Sequence, residues 1–529
     1  MPRERVKTYN LNNEIHMSAV KKTTTEARLY DLVRGLVELS DSDYSVMDKL
    51  ITGIQIDSRF VRKSDLFIAC FGRNHDARNY IDLAIESGCA AVLAEFTVGM
   101  RRLDMRSNVP VIGIDNLPSK VSEVASRFFQ SPSSKLGVIG ITGTNGKTSC
   151  SQFIANTLQN LGYKCGMIGT LGAGLPDCLE ETQLTTPDAV YSQKKLAEMA
   201  SQNVEYVAME ASSVGLHQKR VEAIKFDTAI FTNLTRDHLD YHRTMSDYGE
   251  SKKKLFKMSG LKSAILNLDD DFALSIINSI PEEVEILTYS IANDNATIFS
   301  KKLTFTNSGY SADIHTPIGV KRISGKLIGY FNFSNILAVI AALISTLRRR
   351  NTGNLELDKI LEQVSLLAPV DGRMEIVDKS HEVIAIVDYA HTPASLRCAL
   401  TTLKDHFKGK IWCVFGCGGN RDEGKRPIMG EIAEANADHL VLTDDNPRDE
   451  AGDRIVSQIL SGVKDPSKVS VIRDRASAIE YAISNAASTD VVLIAGKGHE
   501  TYQDISGNKT NFNDRTHAKI ALKDRRSSL

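Results

Sequence analysis

The chain has 529 residues, a formal net charge of −1 and hydrophobic residues at 42% of positions. Such a length is too great for one core and, at a prior of about 150 residues per domain, asks for about three. Balanced charge supplies no field to collect nucleic acid, so none is expected as a partner. Eight cysteines are scattered without a C-x-x-C pair, which indicates neither zinc nor a disulfide framework and fits reduced thiols in the cytoplasm. The longest apolar run, Ile336 to Ile344, is far short of the ~20 residues of a membrane span.

Residues 1–24 read as a polar extension with no apolar h-region, hence not a secretory signal. An N-terminal unit is expected over 25–134, ending in the Ser/Pro cluster QSPSSK at 130–135. A central unit over 135–368 alternates strand patterns (136–142, 164–170, 205–211, 226–233, 262–268) with helical ones (147–161, 188–202, 245–258, 334–348). A C-terminal unit over 369–529 repeats the alternation, with strands near 383–388, 410–415, 439–443 and 490–495. Such alternation predicts an α/β protein with mostly parallel sheets flanked by helices. Ligands of such sheets gather at the carboxyl ends of the strands.

The first strand of the central unit breaks into Thr142-Gly143-Thr144-Asn145-Gly146-Lys147-Thr148, followed by a helical pattern. Strand, Gly-rich turn, Lys-Thr and helix form a polyphosphate cradle. Glycines let backbone N–H groups approach, Lys147 supplies a cation, Thr148 a hydroxyl for Mg²⁺, and the helix its positive dipole end. The spacing departs from G-x-x-x-x-G-K-[ST], because position 141 is Ile. Glu210 ends the run EYVAME, where a carboxylate either holds Mg²⁺ or caps the next element. His238 stands in TNLTRDHLDYH, a loop with two histidines and two aspartates, in a metal, phosphate or structural role.

In the helical pattern 245–258, Tyr248, Lys252, Leu255 and Phe256 share one face, and Lys253 and Lys254 fall off it. Lys252 therefore either snorkels or is buried, and a buried lysine is paired, neutral or modified. In the C-terminal unit, VFGCGGNRDEGKRP, TDDNPRDE and AGKGHETYQ each end a strand pattern. Together Arg421, Asn446, Arg448, Gly496 and Glu500 make an amino-acid pocket, Arg for carboxylates and Glu for an ammonium. Arg373, Asp388 and His391, in DGRME and VDYAHTPASL, are placed to reach a nucleotide held between units.

Taken in order, GTNGKTS, TTPDA, EASSVGLHQKRV, NLTRDHLDYH, YGESK, FNFSN, DGRME, DYAHTP, GGNRDEGKRP, DNPR and GKGHE make the chain resemble the Mur ligase family from about residue 50 to the end. The resemblance implies three α/β domains: a smaller N-terminal UDP-binding one, a central ATP-binding one of P-loop type and a Rossmann-like C-terminal one for the amino acid. It implies an ATP-dependent, ADP-forming acid–amino-acid ligase of peptidoglycan precursor synthesis, and so a role in cell-wall biogenesis, cell shape and division. A substrate carboxylate takes the γ-phosphoryl group to give an acyl phosphate, which an amine then attacks. The implied substrates are ATP, UDP-N-acetylmuramoyl-L-Ala-D-Glu and meso-diaminopimelate, the last because a DNPR loop accompanies it in the family.

By the same resemblance, Gly143, Thr144, Asn145, Gly146, Lys147, Thr148 and Ser149 bind ATP phosphates, and Asn335, Arg373, Asp388 and His391 contact the nucleotide. Thr148, Glu210 and His238 ligate Mg²⁺, assisted by a CO₂-derived carbamate on Lys252; Lys147, Lys252 and His238 are the catalytic set. Thr185, Thr186, Ser212, Gln218 and Arg220 hold the muramoyl dipeptide and Ser58 the uridine nucleotide. Arg421, Asp445, Asn446, Pro447, Arg448, Gly496 and Glu500 take the amino acid. Arg73 and His75 depart from the usual pattern after LFIACFG. Ligation of L-lysine, a sibling Mur ligase and folylpolyglutamate synthase are the alternatives, disfavoured by DSR, EASSVGLHQKRV and DNPR.

Overall fold

Gly137–Thr142 is apolar without polar alternation, and the strand it forms is buried at every position. That is the pattern of a parallel strand covered on both faces. It lies inside an 11-stranded sheet, between Tyr206–Glu210 and Thr228–Phe231, both parallel to it. Cys165–Gly169, Ser263–Asn267, Glu285–Ser290 and Ile298–Thr306 continue the parallel run. Antiparallel strands finish both edges: Gly172–Leu175 and Cys178–Glu180 at one, Gly309–Thr316 and Gly319–Gly325 at the other. Helices Lys147–Asn160, Tyr330–Arg350 and Leu357–Ser365 pack one face. Ala189–Ser201, Ser213–His217 and Phe272–Ile277 pack the other.

This computed structural model describes residues 25–38, 46–72, 75–306, 309–350, 357–378 and 383–528. Residues 1–24 and Arg73 therefore lie outside the described residues. Contacts divide the chain into two compact units, Met1–Asp115 and Asn116–Leu529. Helix Val121–Phe128 is counted with the second, where Ser122 Oγ accepts the Ala223 N–H at 3.0 Å. The first unit holds a five-stranded sheet in which Gly53–Gln55, Asp65–Ala69, Ala91–Glu95 and Val109–Ile114 are parallel and Leu103–Arg106 is an antiparallel edge.

The second unit carries another sheet besides the central one. Its six strands run in the order Glu375–Ile376, Ile384–Asp388, Val491–Ala495, Ile411–Phe415, His439–Leu442, Val469–Val471, parallel but for the first. Pro393–His406, Lys425–Asn436 and Gly452–Leu460 cover one face. Arg475–Asn485 and Asp514–Ser528 cover the other. Thr392 starts the first of these helices with a capping box and Pro393 at its first position.

The predicted elements appear within a few residues of their expected bounds. The expectation lacks the strands from Glu285 to Gly325 and the short strands Gly172–Leu175, Cys178–Glu180, Glu375–Ile376, Val469–Val471, Tyr502–Ile505 and Asn508–Asn511. The helix expected over 245–258 is α-helical over Met245–Lys253 and tightens to 3₁₀ over Lys254–Lys257. Tyr330–Arg349 is long and apolar enough to cross a membrane by length and composition alone, but most of it is buried in the central core. All eight cysteine thiols are free.

Candidate active site

The loop after Gly137–Thr142 turns on two glycines. Gly143 has φ +152°, and a Cβ there would overlap the Thr232 side chain; Gly146 has φ +88°, and its Cβ would stand 2.5 Å from Asn335 Oδ1. Only glycine meets both demands. The loop is fastened to the end of the neighbouring strand. Asn145 N–H donates to Asn233 Oδ1 at 2.9 Å, Thr232 Oγ1 to Asn145 O at 2.6 Å, and Thr144 N–H to Asn233 O at 2.8 Å. Gly146 is the N-cap of helix Lys147–Asn160, and no side chain caps it. Its first-turn N–H groups are thus left for an anion.

The amino groups of two lysines converge on one carbonyl of this loop. Lys147 Nζ donates to Gly143 O and Thr144 O, both at 2.9 Å, and Lys252 Nζ donates to Gly143 O at 2.8 Å. Lys252 is 1% exposed and its Nζ lies 4.1 Å from the centre of the Tyr248 ring. Burial drives Lys252 well below the ordinary lysine range, and Lys147 adds to the effect. Burial also lowers Lys147, against the pull of Glu210 and Asp237. Lys253 corrects the expectation that it leaves the apolar face: it is buried. Its Nζ, however, turns to Glu250 Oε1 at 2.5 Å and the Phe272 ring, so Lys252 alone of the two bonds the phosphate loop.

Glu210, 1% exposed, aims at the same place. Its Oε2 accepts from Thr148 Oγ1 and Thr170 Oγ1, each at 3.1 Å, and its Oε1 from the Thr170 N–H at 2.8 Å. Thr170 was missed from sequence; it follows a strand, but a threonine there carries no motif. His238 adopts φ +53° ahead of the short helix Leu239–His242, with Nε2 3.5 Å from Asp237 Oδ2. Burial lowers His238, and Lys252 and Lys147 oppose its protonation further. Glu210 and His238 join no third His, Cys, Asp or Glu in a metal-binding group among the described residues.

Asp237, one of the two aspartates of the His238 loop, is not singled out by the sequence as a site residue. Its Oδ2 lies 3.9 Å from His391 Nε2. Burial pushes its carboxyl up, but His238, His391 and Lys425 outweigh that and hold it well below the usual carboxylate range. His391 Nδ1 donates to Tyr389 O at 2.8 Å, and burial, with Lys425, brings the ring down to about 4. Arg373 reaches Thr148 Oγ1 at 3.4 Å and lies over the Tyr389 ring. Asp388 Oδ2 accepts the Met374 N–H at 2.7 Å. Arg236 and Asp422 form a two-point ion pair, at 3.0 and 3.1 Å, between the loop carrying His238 and the loop carrying Arg421.

A second cluster surrounds Thr186. Its Oγ1 donates to Glu210 O at 2.8 Å and accepts the Ser212 N–H at 2.9 Å; Arg220 Nη1 donates to Thr186 O at 2.7 Å. Arg220 also holds Gln218 Oε1, and Thr185 Oγ1 meets Thr170 Oγ1 at 3.1 Å. The five residues expected to share a ligand are thus gathered beside Glu210. Ser58 belongs to the first unit, buried on the turn Ser58–Phe60 that Asp57 caps.

The strand ends of the C-terminal sheet form a third cluster. Gly418 stands between Arg421 and Arg448: a Cβ there would be 2.9 Å from Arg448 Nη1 and 3.8 Å from Arg421 Cγ. Arg448 Nη1 donates to Gly419 O at 2.8 Å, and Arg448 has φ +53°. Asn446 Nδ2 donates to Glu500 Oε2 at 2.8 Å. Asp445, adjoining buried Pro447 across Asn446, would meet a Cβ on Gly496 at 2.5 Å.

Residues 141–343 match the Mur ligase middle domain, and residues 372–498 match the Mur ligase, glutamate ligase domain. A relative from Coxiella burnetii, named UDP-N-acetylmuramoyl-L-alanyl-D-glutamate--2,6-diaminopimelate ligase, is 44% identical over 479 residues, 90% of this chain and 96% of its own. A solved structure bearing the same ligase name has a TM-score of 0.67 at 33% identity, covering 94% of this chain and 99% of that one. Folylpolyglutamate synthase from Mycobacterium tuberculosis, solved with ADP and AMPPCP, shares the fold at a TM-score of 0.60 and 16% identity, over 72% of this chain and 92% of its own.

Proposed function

The chain belongs to the Mur ligase family, and we infer that it joins 2,6-diaminopimelate to UDP-N-acetylmuramoyl-L-alanyl-D-glutamate at the expense of ATP, as a step of peptidoglycan precursor synthesis. ATP use and the nucleotide precursor assign the reaction to the cytoplasm. The observation that carries the chemistry is the convergence of Lys147, Lys252 and the Thr148–Glu210 pair at one phosphate loop.

The loop from Gly143 to Ser149 binds the polyphosphate, and Lys147 turns from the loop carbonyls to the transferred γ-phosphoryl group. Thr185, Thr186, Ser212, Gln218 and Arg220 hold the dipeptide end of the nucleotide precursor. Its terminal carboxylate attacks phosphorus, ADP leaves, and the mixed anhydride forms. The amine of diaminopimelate adds to that carbonyl, phosphate departs and the amine's proton is lost. Asn335, Arg373, Asp388 and His391 orient the nucleotide, Ser58 contributes to the uridine end, and the C-terminal cluster aims the amine. Release of phosphate from ATP only when both precursor and diamino acid are present tests this reading; release with glutamate and a folate instead would replace it.

Thr148 and Glu210 offer the hard oxygen donors that Mg²⁺ prefers. With His238 and a carbamate on Lys252 they would hold the ion, which screens phosphate charge. The state of Lys252 supports the carbamate. Only a neutral amine adds to CO₂, losing a proton as the N–C bond forms, and burial beside Lys147 favours the neutral amine. Lys252→Ala is expected to lose about 10²-fold or more in turnover, partly restored by acetate, with the carbamate carbon visible by ¹³C NMR in the unmodified protein alone. Lys253→Ala should be mild, because Lys253 turns to Glu250. Equal losses in the two variants would refute the assignment.

Burial pushes the Asp388 carboxyl up to about 6, against the pull of Arg373. The charged form, present above that pH, is the one that accepts a nucleotide hydroxyl. KM for ATP is therefore expected to rise as pH falls through about 6, and Asp388→Asn should flatten the profile. A flat KM in the unmodified enzyme from about pH 8 to about pH 5 would remove Asp388 from nucleotide binding.

A further inference from the structure

Lys497 is wholly buried between Gly496 and Glu500, and no step above uses it. Its Nζ donates to Asn446 Oδ1 and to Glu500 Oε2, both at 2.9 Å. Asn446 closes the triangle through Nδ2, which donates to the same Glu500 oxygen at 2.8 Å. Asn446 Oδ1 also accepts the Asp504 N–H at 3.0 Å, and Asp504 O accepts the Arg448 N–H at 3.0 Å. One hydrogen-bonded chain thus runs from Lys497 through Asn446 to the backbone of Arg448, touching three of the groups assigned to the amino acid. A buried ammonium is costly to keep, which argues for a task beyond packing.

Charge supplies the task. The far end of diaminopimelate carries an ammonium and a carboxylate and is neutral overall; the far end of lysine is a bare cation. Lys497 ion-pairs Glu500 at 2.9 Å, and without that partner the Glu500 carboxylate would be left to welcome a bare ammonium.

We propose that Lys497 is a positioning residue that sets amino-acid selectivity: it fixes and neutralises Glu500, so that the pocket takes the zwitterionic end of a diamino diacid and turns away the cation of a monocarboxylic diamine. This rests on the amino-acid pocket assigned above. Selectivity is a difference of affinities, so a charge shared by neither substrate moves it directly.

The test is the ratio of kcat/KM for meso-diaminopimelate to that for L-lysine, with ATP and the nucleotide precursor saturating. Lys497→Met should lower the ratio by about tenfold or more, mainly by lowering KM for L-lysine, and Lys497→Arg should keep it near the original value. Glu500→Gln, an isosteric change that survives even if Lys497→Met does not fold, leaves Lys497 as an excess positive charge. It should weaken both substrates yet raise the ratio. Opposite movements are the signature of charge balance. Ratios unmoved in Glu500→Gln, or falling together in both variants, would overturn the proposal. An unmodified enzyme that uses neither amino acid would instead overturn the function on which it rests.

Discussion

Lys147→Ala is expected to give a folded protein whose turnover is lower by roughly 10³-fold or more, the scale set by removing a cation from a phosphoryl-transfer site. Folding should survive for a physical reason. Lys147 Nζ bonds only loop carbonyls, and its charged form is disfavoured by burial. A lysine whose folded-state value lies below its unfolded one costs stability at neutral pH, so its removal should leave Tm unchanged or slightly raised. The glycine backbone and the Asn145–Asn233 and Thr232–Asn145 hydrogen bonds hold the loop without it. A second effect follows from geometry. Lys147 helps keep Lys252 neutral, because the Nζ atoms of both lysines face Gly143 O. Removing Lys147 lets Lys252 hold its proton to higher pH, so the carbamate signal should weaken at neutral pH along with turnover. Near-normal phosphate release by a variant with an unchanged Tm would refute the role given to Lys147. Lost turnover with an undiminished carbamate signal would separate the two effects.

Much of this architecture was legible because its signals are local. Val138 to Ile141 reads as a buried strand, and the two glycines that follow sit where a side chain would strike Thr232 or Asn335. The strands from Glu285 to Gly325 were not legible. They lie towards one edge of the sheet, and a strand such as Ile298–Thr306 alternates buried residues with lysines and threonines whose exposure resembles a loop's. Val469–Val471 is three residues long and carries too little pattern to register. Lys253 shows the limit of helical-face reasoning. A wheel places it away from the apolar stripe, but the Phe272 ring, from another helix, and Glu250 cover its side chain anyway. Thr170, Asp237 and Lys497 escaped for a related reason. Each works by holding another polar residue, and such a role is defined by a partner remote in sequence or hidden beside a louder neighbour.

Strong preference for meso-diaminopimelate over L-lysine, about 10⁴-fold in kcat/KM, is expected of the unmodified enzyme, and Arg448→Ala should collapse it. The two amino acids differ by one carboxylate at the far end of the side chain. On the function proposed above, Arg448 takes it. Its guanidinium passes Gly418, where a Cβ would stand 2.9 Å from Nη1, and its backbone is pinned in a left-handed turn by hydrogen bonds to Asp504 and Ser506. A guanidinium held this way is pre-organised, so two charge-assisted hydrogen bonds to a carboxylate form at little entropic cost. Offered lysine, the same guanidinium faces a cation and keeps only the Gly419 carbonyl. The loss is one of missing bonds and of repulsion, which a site built around charge converts into discrimination. Arg421 lies on the other side of Gly418 and is exposed, as suits a group that closes on the backbone-side carboxylate common to both substrates. Arg421→Ala should therefore weaken diaminopimelate and lysine alike, whereas Arg448→Ala should penalise diaminopimelate alone. Comparable kcat/KM for the two amino acids in the unmodified enzyme, or equal penalties in the two arginine variants, would remove Arg448 from recognition of the distal carboxylate while leaving the ATP chemistry of Lys147 and Glu210 untouched.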